Sequence, residues 1–519
     1  MLSCSLSPKK LEHVPSLPKF PAATRILQWF GMCNVLRCLV GACVTVSLIG
    51  CSKPIVKDGD APAGPAYVKW MPASYAEAGD AEALKLPTVP EKWWRSFGSA
   101  ELDGFVENAF KNNYDLKAAI ARVAQSGAQA DAVRALQSPT IDGVAGYQNQ
   151  GPWNGVATAP TTEAWRTQEI YQGGLRVNYE VDLWGKLGFN TESAYQKSLV
   201  SQYSRDSVAL LLAADVVSTY FSVVSLTERL AVGTRNLESI TKVREGIARR
   251  VSRGDSTVID LAQQRILEKN TQANLSLLNG QRVRELNRLA QLQGLVPGTL
   301  RVQATSVDSF KRVDLSAGLP SELLCRRPDI KAAEASLLSA QADLYAARAS
   351  LLPAFSLSGQ SGMGSYYLSS ILSPQSFFFN ITSNLLQNIF DGGRRDADIR
   401  ATRARNFELL EAYASTVQAA LRDVEDALNG LETTKLRHQA LAISRDQAQQ
   451  LASNTRKLLE RGAIDFVQLL TIEQAVMASE DAIISARRDQ LKAAVDLYKS
   501  LGGGVADKED RCLKEGSRG

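Results

Sequence analysis

The chain has 519 residues and a net charge of +5, but its first fifty residues hold five Lys/Arg against one Glu, so the remainder is nearly neutral at +1. No nucleic-acid motif accompanies that charge, which excludes a polyanion binder. With only two histidines, His13 and His438, and no Ser/His/Asp set, phosphate loop or metal-spaced cluster, the chain is not expected to be an enzyme or to hold a metal or a dissociable cofactor. His438 stands alone in a helical pattern and is expected to be solvated.

Residues 1–31 carry four prolines and no periodicity. From Met32, an alternative start, the pattern changes. Arg37 precedes the apolar run Leu39 to Ile49, which ends in Leu48-Ile49-Gly50-Cys51. A positive segment, a short apolar run and a small residue before the cut describe a secretory signal, too short to span a bilayer as a helix. Residues 1–50 are read as leader and signal peptide. Four of the seven cysteines precede residue 51, and Cys51, Cys325 and Cys512 are far apart. A disulfide framework is therefore not expected, and Cys325 reads as a small buried residue.

Residues 51–92 are rich in Pro, Ala and Gly and read as an extended tether. Trp93-Trp94 opens the ordered part. Residues 101–137 read as one helix, with Leu102, Phe105, Phe110, Leu116, Ile120 and Val123 near one face, stopped by Pro139. Ile141 to Gln150 alternates weakly as a strand, and Gly151 to Thr167 reads as loop. Leu175 to Trp184 alternates strictly. Its ten residues at about 3.3 Å each reach roughly 33 Å, enough for a tilted strand to cross a bilayer core of about 30 Å. No proline lies between Pro160 and Pro297, and residues 188–251 read as one helix of about 90 Å. Leu210/Val217/Val224, Leu230/Leu237 and Ile240/Ile247 repeat there at sevenfold spacing. Arg253-Gly254-Asp255-Ser256 is a turn, from which a second helix returns to Gly294.

The chain then repeats itself. At an offset of 214, Asp115, Lys117, Ala118, Ala119, Arg134 and Pro139 fall on Asp329, Lys331, Ala332, Ala333, Arg348 and Pro353. At an offset of 208, Arg253, Gly254, Leu261, Leu289 and Gly294 fall on Arg461, Gly462, Leu469, Leu497 and Gly502. Strands are expected at Phe355 to Gln360 and Phe377 to Phe390. A heptad helix follows over Leu410, Ala414, Val417, Leu421, Val424, Leu428 and Leu431. The units are residues 93–310 and 311–504, with a polar tail at 505–519.

Two strands per unit give four per chain. Open edges cannot face lipid, and four strands cannot close a barrel, whose smallest members have about eight. The chain must therefore oligomerise to insert. Alternation turns Leu175, Val177, Tyr179, Val181 and Leu183 toward lipid and Arg176, Asn178, Glu180 and Asp182 toward a wet lumen. The helices, studded with Arg, Glu and Asp, must stand in water.

Leu48-Ile49-Gly50-Cys51 resembles a bacterial lipobox. It implies a diacylglycerol and an N-acyl chain on Cys51, and Ser52 after it suits outer-membrane sorting. Together with Val181-Asp182-Leu183-Trp184-Gly185-Lys186-Leu187, Arg326-Arg327-Pro328-Asp329-Ile330, Ile389-Phe390-Asp391-Gly392-Gly393-Arg394 and Leu497 to Gly504, it resembles the outer-membrane factor family. These are the TolC/OprM-like channels, and the lipoprotein (NodT-type) branch in particular. The resemblance runs from Cys51 to about Gly504. It implies a mainly α fold with a transmembrane β part: a homotrimer, a shared twelve-stranded barrel, a long periplasmic α-helical tunnel and an equatorial domain. It also implies a periplasmic membrane-fusion adaptor, an inner-membrane pump of the RND type and outer-membrane lipid as partners, with export of drugs or other small molecules. Arg253, Gly254, Arg461 and Gly462 match the family's adaptor-facing turns, although an αL glycine turn alone explains the same residues. Val467 matches an apolar ring at the periplasmic aperture. Gln468 and Thr471 match positions where relatives carry Asp, so the charge that draws cations is missing here. The faces of Glu473 and Asp465 stay open. A type I protein secretion duct is the alternative within the family, and a periplasmic coiled-coil scaffold lipoprotein is the alternative outside it.

Overall fold

The computed structural model describes residues 90–151, 168–312, 323–461 and 466–503, all within the unit Ala61–Gly519. In chain order these residues form α1 (Ala100–Asn112), α2 (Tyr114–Ala135), β1 (Thr140–Gln150), β2 (Gln168–Val181), α3 (Lys186–Ser252) and α4 (Val258–Leu292). The short α5 (Leu323–Arg326), α6 (Pro328–Ala349), β3 (Ala354–Ser365), β4 (Phe377–Leu386), α7 (Arg394–Glu460) and α8 (Phe466–Ser500) follow. The signal region, Cys51, the tether and the tail lie outside the described residues.

The repeat is carried into length. α3 and α7 each have 67 residues, about 100 Å of helix at 1.5 Å per residue. α4 and α8 each have 35, and α2 and α6 each have 22. Both long helices open on a left-handed glycine, Gly185 (φ +76°) and Gly393 (φ +85°). This conformation is open to glycine because it lacks a Cβ.

The expected helix over 101–137 is two helices. Asn113 has an extended ψ of 131° and ends the first. Its side chain accepts from Leu116 N (2.9 Å) and so caps the second, and its amide donates to Leu292 O (2.9 Å). The apolar period runs through this break, so periodicity alone joined them.

Four further expectations change. α3 is not uniformly charged: its middle is apolar enough to pass for a membrane span by composition. That stretch is buried on almost every side, with Val216, Val217, Tyr220, Phe221, Val223 and Val224 fully enclosed. A helix apolar all round is a core helix when protein surrounds it. On α7 the enclosed stripe is Tyr413, Val417, Ala420, Val424 and Ala427, and Leu410, Leu421, Leu428 and Leu431 lie half-buried on its flanks. His438 is half-buried rather than solvated. Burial first, then the charges of Arg487 and Arg312, lower its pKa from the ordinary 6.5. Cys325 is disulfide-bonded, not a free buried thiol.

The core gathers where the 3₁₀ turn Trp93–Phe97 meets the end of α8. The turn inserts three buried aromatic rings. Trp93 stacks on Tyr498 (centroids 5.0 Å), Phe97 meets Phe221 edge-on (5.0 Å), and Phe221 meets Phe310 (5.0 Å). A strap over residues 303–310 closes this core. Glu101 accepts from the backbone N–H of Gln303 (2.7 Å) and Ala304 (3.1 Å) and from the Tyr220 hydroxyl (2.8 Å). Glu228 accepts from Ser306 Oγ (3.0 Å) and Val307 N (2.8 Å), and buried Arg487 donates to Phe310 O (2.9 Å). Carboxylates and a guanidinium thus satisfy backbone groups that no helix or ladder reaches.

The four strands form one antiparallel sheet in the order β1-β2-β3-β4. All three ladders pair odd-numbered with odd-numbered residues: Ile141 with Val177, Val177 with Gly359, and Gly359 with Ile381. The odd residues of all four strands therefore share one face.

Candidate functional site

The odd face of the sheet is apolar and uncovered. Ile141, Leu175, Leu357, Phe377, Phe379, Ile381 and Leu385 are all exposed on it, Ile381 by 74%. A contiguous apolar face of this size calls for an apolar medium or partner. At one end of it Tyr147 faces Tyr171 across the ladder (centroids 5.0 Å), and both hydroxyls donate to Glu169, at 3.2 and 3.1 Å.

The even face carries the polar residues of the strands. Arg176 lies between Asp142 and Gln360, Asn178 between Thr140 and Ser358, and Glu180 beside Ser356. Three of the four expected lumen residues thus share one face in ladder register. Asp182 does not belong to the ladder, because β2 ends at Val181. Leu183 N turns back to Val181 O (2.9 Å), and the Asp182 carboxylate accepts from Gly188 N (2.8 Å) in the first turn of α3. It satisfies one of the orphan donors there and sits well against the positive helix end. Alternation could not reveal this, since Asp182 keeps the strand's period while working as a helix cap. Beside it Lys186 pairs with Glu180 (2.9 Å), and the Trp184 indole donates to Pro353 O (2.7 Å), linking the two repeats. These residues, with Arg394 and Asp398, line a cavity of about 370 Å³ at the strand–helix junction. In the second repeat Asp391 accepts from Gly393 N (3.0 Å) and Arg395 N (3.3 Å), the expected strand-to-helix turn.

The helix tips lie far along the chain from this junction. α3 ends in a Schellman arrangement in which Gly254 N donates to Val251 O (3.0 Å) and Asp255 N to Arg250 O (2.9 Å), with Gly254 at φ +81°. α4 begins with a capping box between Thr257 and Asp260. The Arg253 side chain is 67% exposed, 3.6 Å from Asp255. Val258 and Ile259, 71% and 69% exposed, stand beside it. Sequence reasoning passed over these two apolar residues; their signal is an apolar pair in the first turn of a helix with no apolar residue before the cap to pack on. In the second repeat Arg461 caps α7 at φ −84° and is exposed, whereas Gly462 and Asp465 lie outside the described residues.

At the start of α8, Gln468 and Thr471 are exposed one turn apart on one face, which continues through Gln474, Ala475 and Ala478 without a charge. Val467 is within the helix, and its side chain lies outside the described residues. Leu469 and Leu470 are buried, so Leu470 packs between helices. Glu473 turns away from the exposed face: it is 8% exposed and accepts from Arg456 Nε at 3.2 Å.

The outer membrane efflux protein family model matches residues 105–295 and 319–503. The pyoverdine export outer membrane protein OpmQ of Pseudomonas aeruginosa is 32% identical over 480 residues, 92% of this chain and 98% of its own. The cation efflux system protein CusC of Escherichia coli is 26% identical, over 90% of this chain and 99% of its own. The solved outer-membrane channel OprN superposes with a TM-score of 0.74 at 27% identity, covering 84% of this chain and 98% of its own. The fold is that of the TolC-like outer-membrane channels, and the chain belongs to the outer membrane efflux protein family.

Proposed function

We propose that this outer-membrane efflux channel is the passive exit duct of a tripartite assembly, working as a lipid-anchored homotrimer. One observation carries the reading: a four-stranded sheet with two open edges, one face apolar and uncovered and the other polar. Unpaired backbone edges are costly in lipid, so β1 of one copy pairs with β4 of the next until twelve strands close. The odd face then meets lipid. Arg176, Asn178 and Glu180 line the lumen, with Asp182 at its foot. The long helices continue the conduit through the periplasm, and Cys51 carries the diacylglycerol and N-acyl chain.

The tips at Arg253-Gly254 and Arg461-Gly462 receive the periplasmic adaptor, with Val258 and Ile259 as apolar anchors beside the first. Val467, Gln468 and Thr471 form the periplasmic aperture. The related proteins OpmQ and CusC are named for pyoverdine and for cations, which fits a duct that takes its cargo, drugs or other small molecules, from whichever inner-membrane RND-type pump it serves.

In planar bilayers the purified chain is expected to form trimeric pores, and Thr471→Asp to raise their preference for cations, because three carboxylates then ring the mouth. Unchanged ion selectivity would remove the aperture assignment. Cys51→Ser is expected to abolish incorporation of labelled palmitate; labelling that survives the substitution would place the lipid elsewhere, and an unlabelled wild type would rule out the anchor.

A further inference from the structure

The middle of the even face is polar except at one level; toward its ends it carries Ile170, Ala354 and Leu386. Ladder register places Val144, Gly174, Gly362 and Phe378 side by side across the four strands. One step along the strands the same face carries Asp142, Arg176, Gln360 and Asn380. Phe378 is the single aromatic residue on the even face among the described strand residues, and it is partly buried. Its neighbours Phe377 and Phe379 are exposed on the odd face by 56% and 72%.

Glycine explains how the ring is seated. A Cβ on Gly364 would lie 3.3 Å from Phe378 Cε1 and 3.4 Å from Cδ1, so the ring rests directly on that residue. Gly174 and Gly362 approach so closely that neither has room for a side chain. The phenyl ring therefore lies across bare backbone, an arrangement that shields glycine in a sheet. Its other surface points away from the sheet, on the side where the adjoining level offers Asp142, Arg176, Gln360 and Asn380.

We infer that Phe378 lines the conduit and gives permeating molecules an apolar contact at this level, one ring from each subunit. The inference rests on the trimeric barrel proposed above. An apolar band in a wet passage disfavours fully hydrated small ions and favours solutes with an apolar face. Phe378 is thus a residue that shapes which cargo passes easily, in a stretch of strand where its two neighbours face lipid.

Three single variants test it in intact cells: Phe377→Cys, Phe378→Cys and Phe379→Cys, each exposed to a membrane-impermeant charged maleimide. The wild-type chain, labelled in parallel, sets the background from its own cysteines Cys51, Cys325 and Cys512. Labelling is expected for Phe378→Cys and not for the other two; the reverse pattern would overturn the inference. In planar bilayers, attaching a bulky maleimide to Phe378→Cys is expected to lower single-channel conductance. In cells, Phe378→Ser is expected to slow efflux of an amphipathic aromatic dye. If Phe378→Cys is labelled but neither conductance nor dye efflux changes, the contact role is wrong and the barrel stands. If wild type forms no pores, the barrel reading itself is wrong.

Discussion

Arg327→Leu is expected to destabilise the helical body by about 2–3 kcal/mol. Arg327 is 9% exposed and joins three elements. Its Nε and Nη2 donate to Asp329 at 3.0 and 2.7 Å, and Nη2 also donates to Asp423 at 3.1 Å. Its Nη1 donates to the carbonyls of Ala420 (3.4 Å) and Ser500 (3.2 Å). The guanidinium thus ties the start of α6 to α7 and to the end of α8. The figure is below that of a fully enclosed pair because the two carboxylates are 42% and 38% exposed and regain water once the arginine is gone. Arg327→Lys keeps the charge but loses the planar fork and should recover only part of the loss. Chemical unfolding followed by circular dichroism measures both, and a wild-type midpoint for Arg327→Leu would show that the joint is held otherwise.

The same joint carries a pH dependence. Burial pushes the Asp423 carboxyl up, but the bonds from Arg422 and Arg327 outweigh it and hold it below its ordinary 3.8. A carboxylate with a lower pKa in the folded state adds stability above pH 3.8, and that addition is lost as the pH falls through the folded value. The acid-induced loss should shrink in Arg327→Leu.

The second large effect lies in the sheet. Gly362→Ala is expected to cost about 1–3 kcal/mol per chain, and in the trimer proposed above each of the three copies would carry that cost. A Cβ at Gly362 would overlap the Gly173 carbonyl oxygen and stand 2.7 Å from Gly174 Cα. These are backbone atoms that cannot rotate away, so β2 and β3 must part. Gly359→Ala is the control, since its nearest neighbour would be Asn380 O at 3.8 Å, an ordinary contact. Heating the detergent-solubilised protein before gel electrophoresis should dissociate the proposed trimer of Gly362→Ala at lower temperature and leave that of Gly359→Ala unchanged. Equal melting of the two would show that the close crossing is not needed.

Much of this architecture is legible in the residues themselves. Strict alternation over Leu175 to Trp184 located β2, which runs instead over Gln168–Val181, and the two offsets predicted that the second half repeats the order of elements of the first. Local chemistry hid the rest. Asn113 interrupts a helix without interrupting its apolar period, and Asp182 keeps a strand's period while capping a helix. The enclosed stripe of α7 runs through Tyr413, Ala420 and Ala427, small or mixed residues that a search for leucine heptads passes over. Glu473 illustrates the limit for the site. A carboxylate beside an expected aperture reads as a lining group until its partner, Arg456, is known to lie on the neighbouring helix. Phe378 is of the same kind, since in the run Phe377-Phe378-Phe379 only ladder register separates the middle ring from its neighbours.

The stacking of Trp93 on Tyr498 has a consequence for biosynthesis. Trp93 is stacked on a residue some four hundred positions later in the chain. Such a long sequence separation makes the nucleus late. A chain truncated by stalling or proteolysis lacks the stack for its leading tryptophan and leaves that ring uncovered. Completeness is thereby written into the fold: an unfinished copy stays open to periplasmic proteases, and a finished one hides the mark.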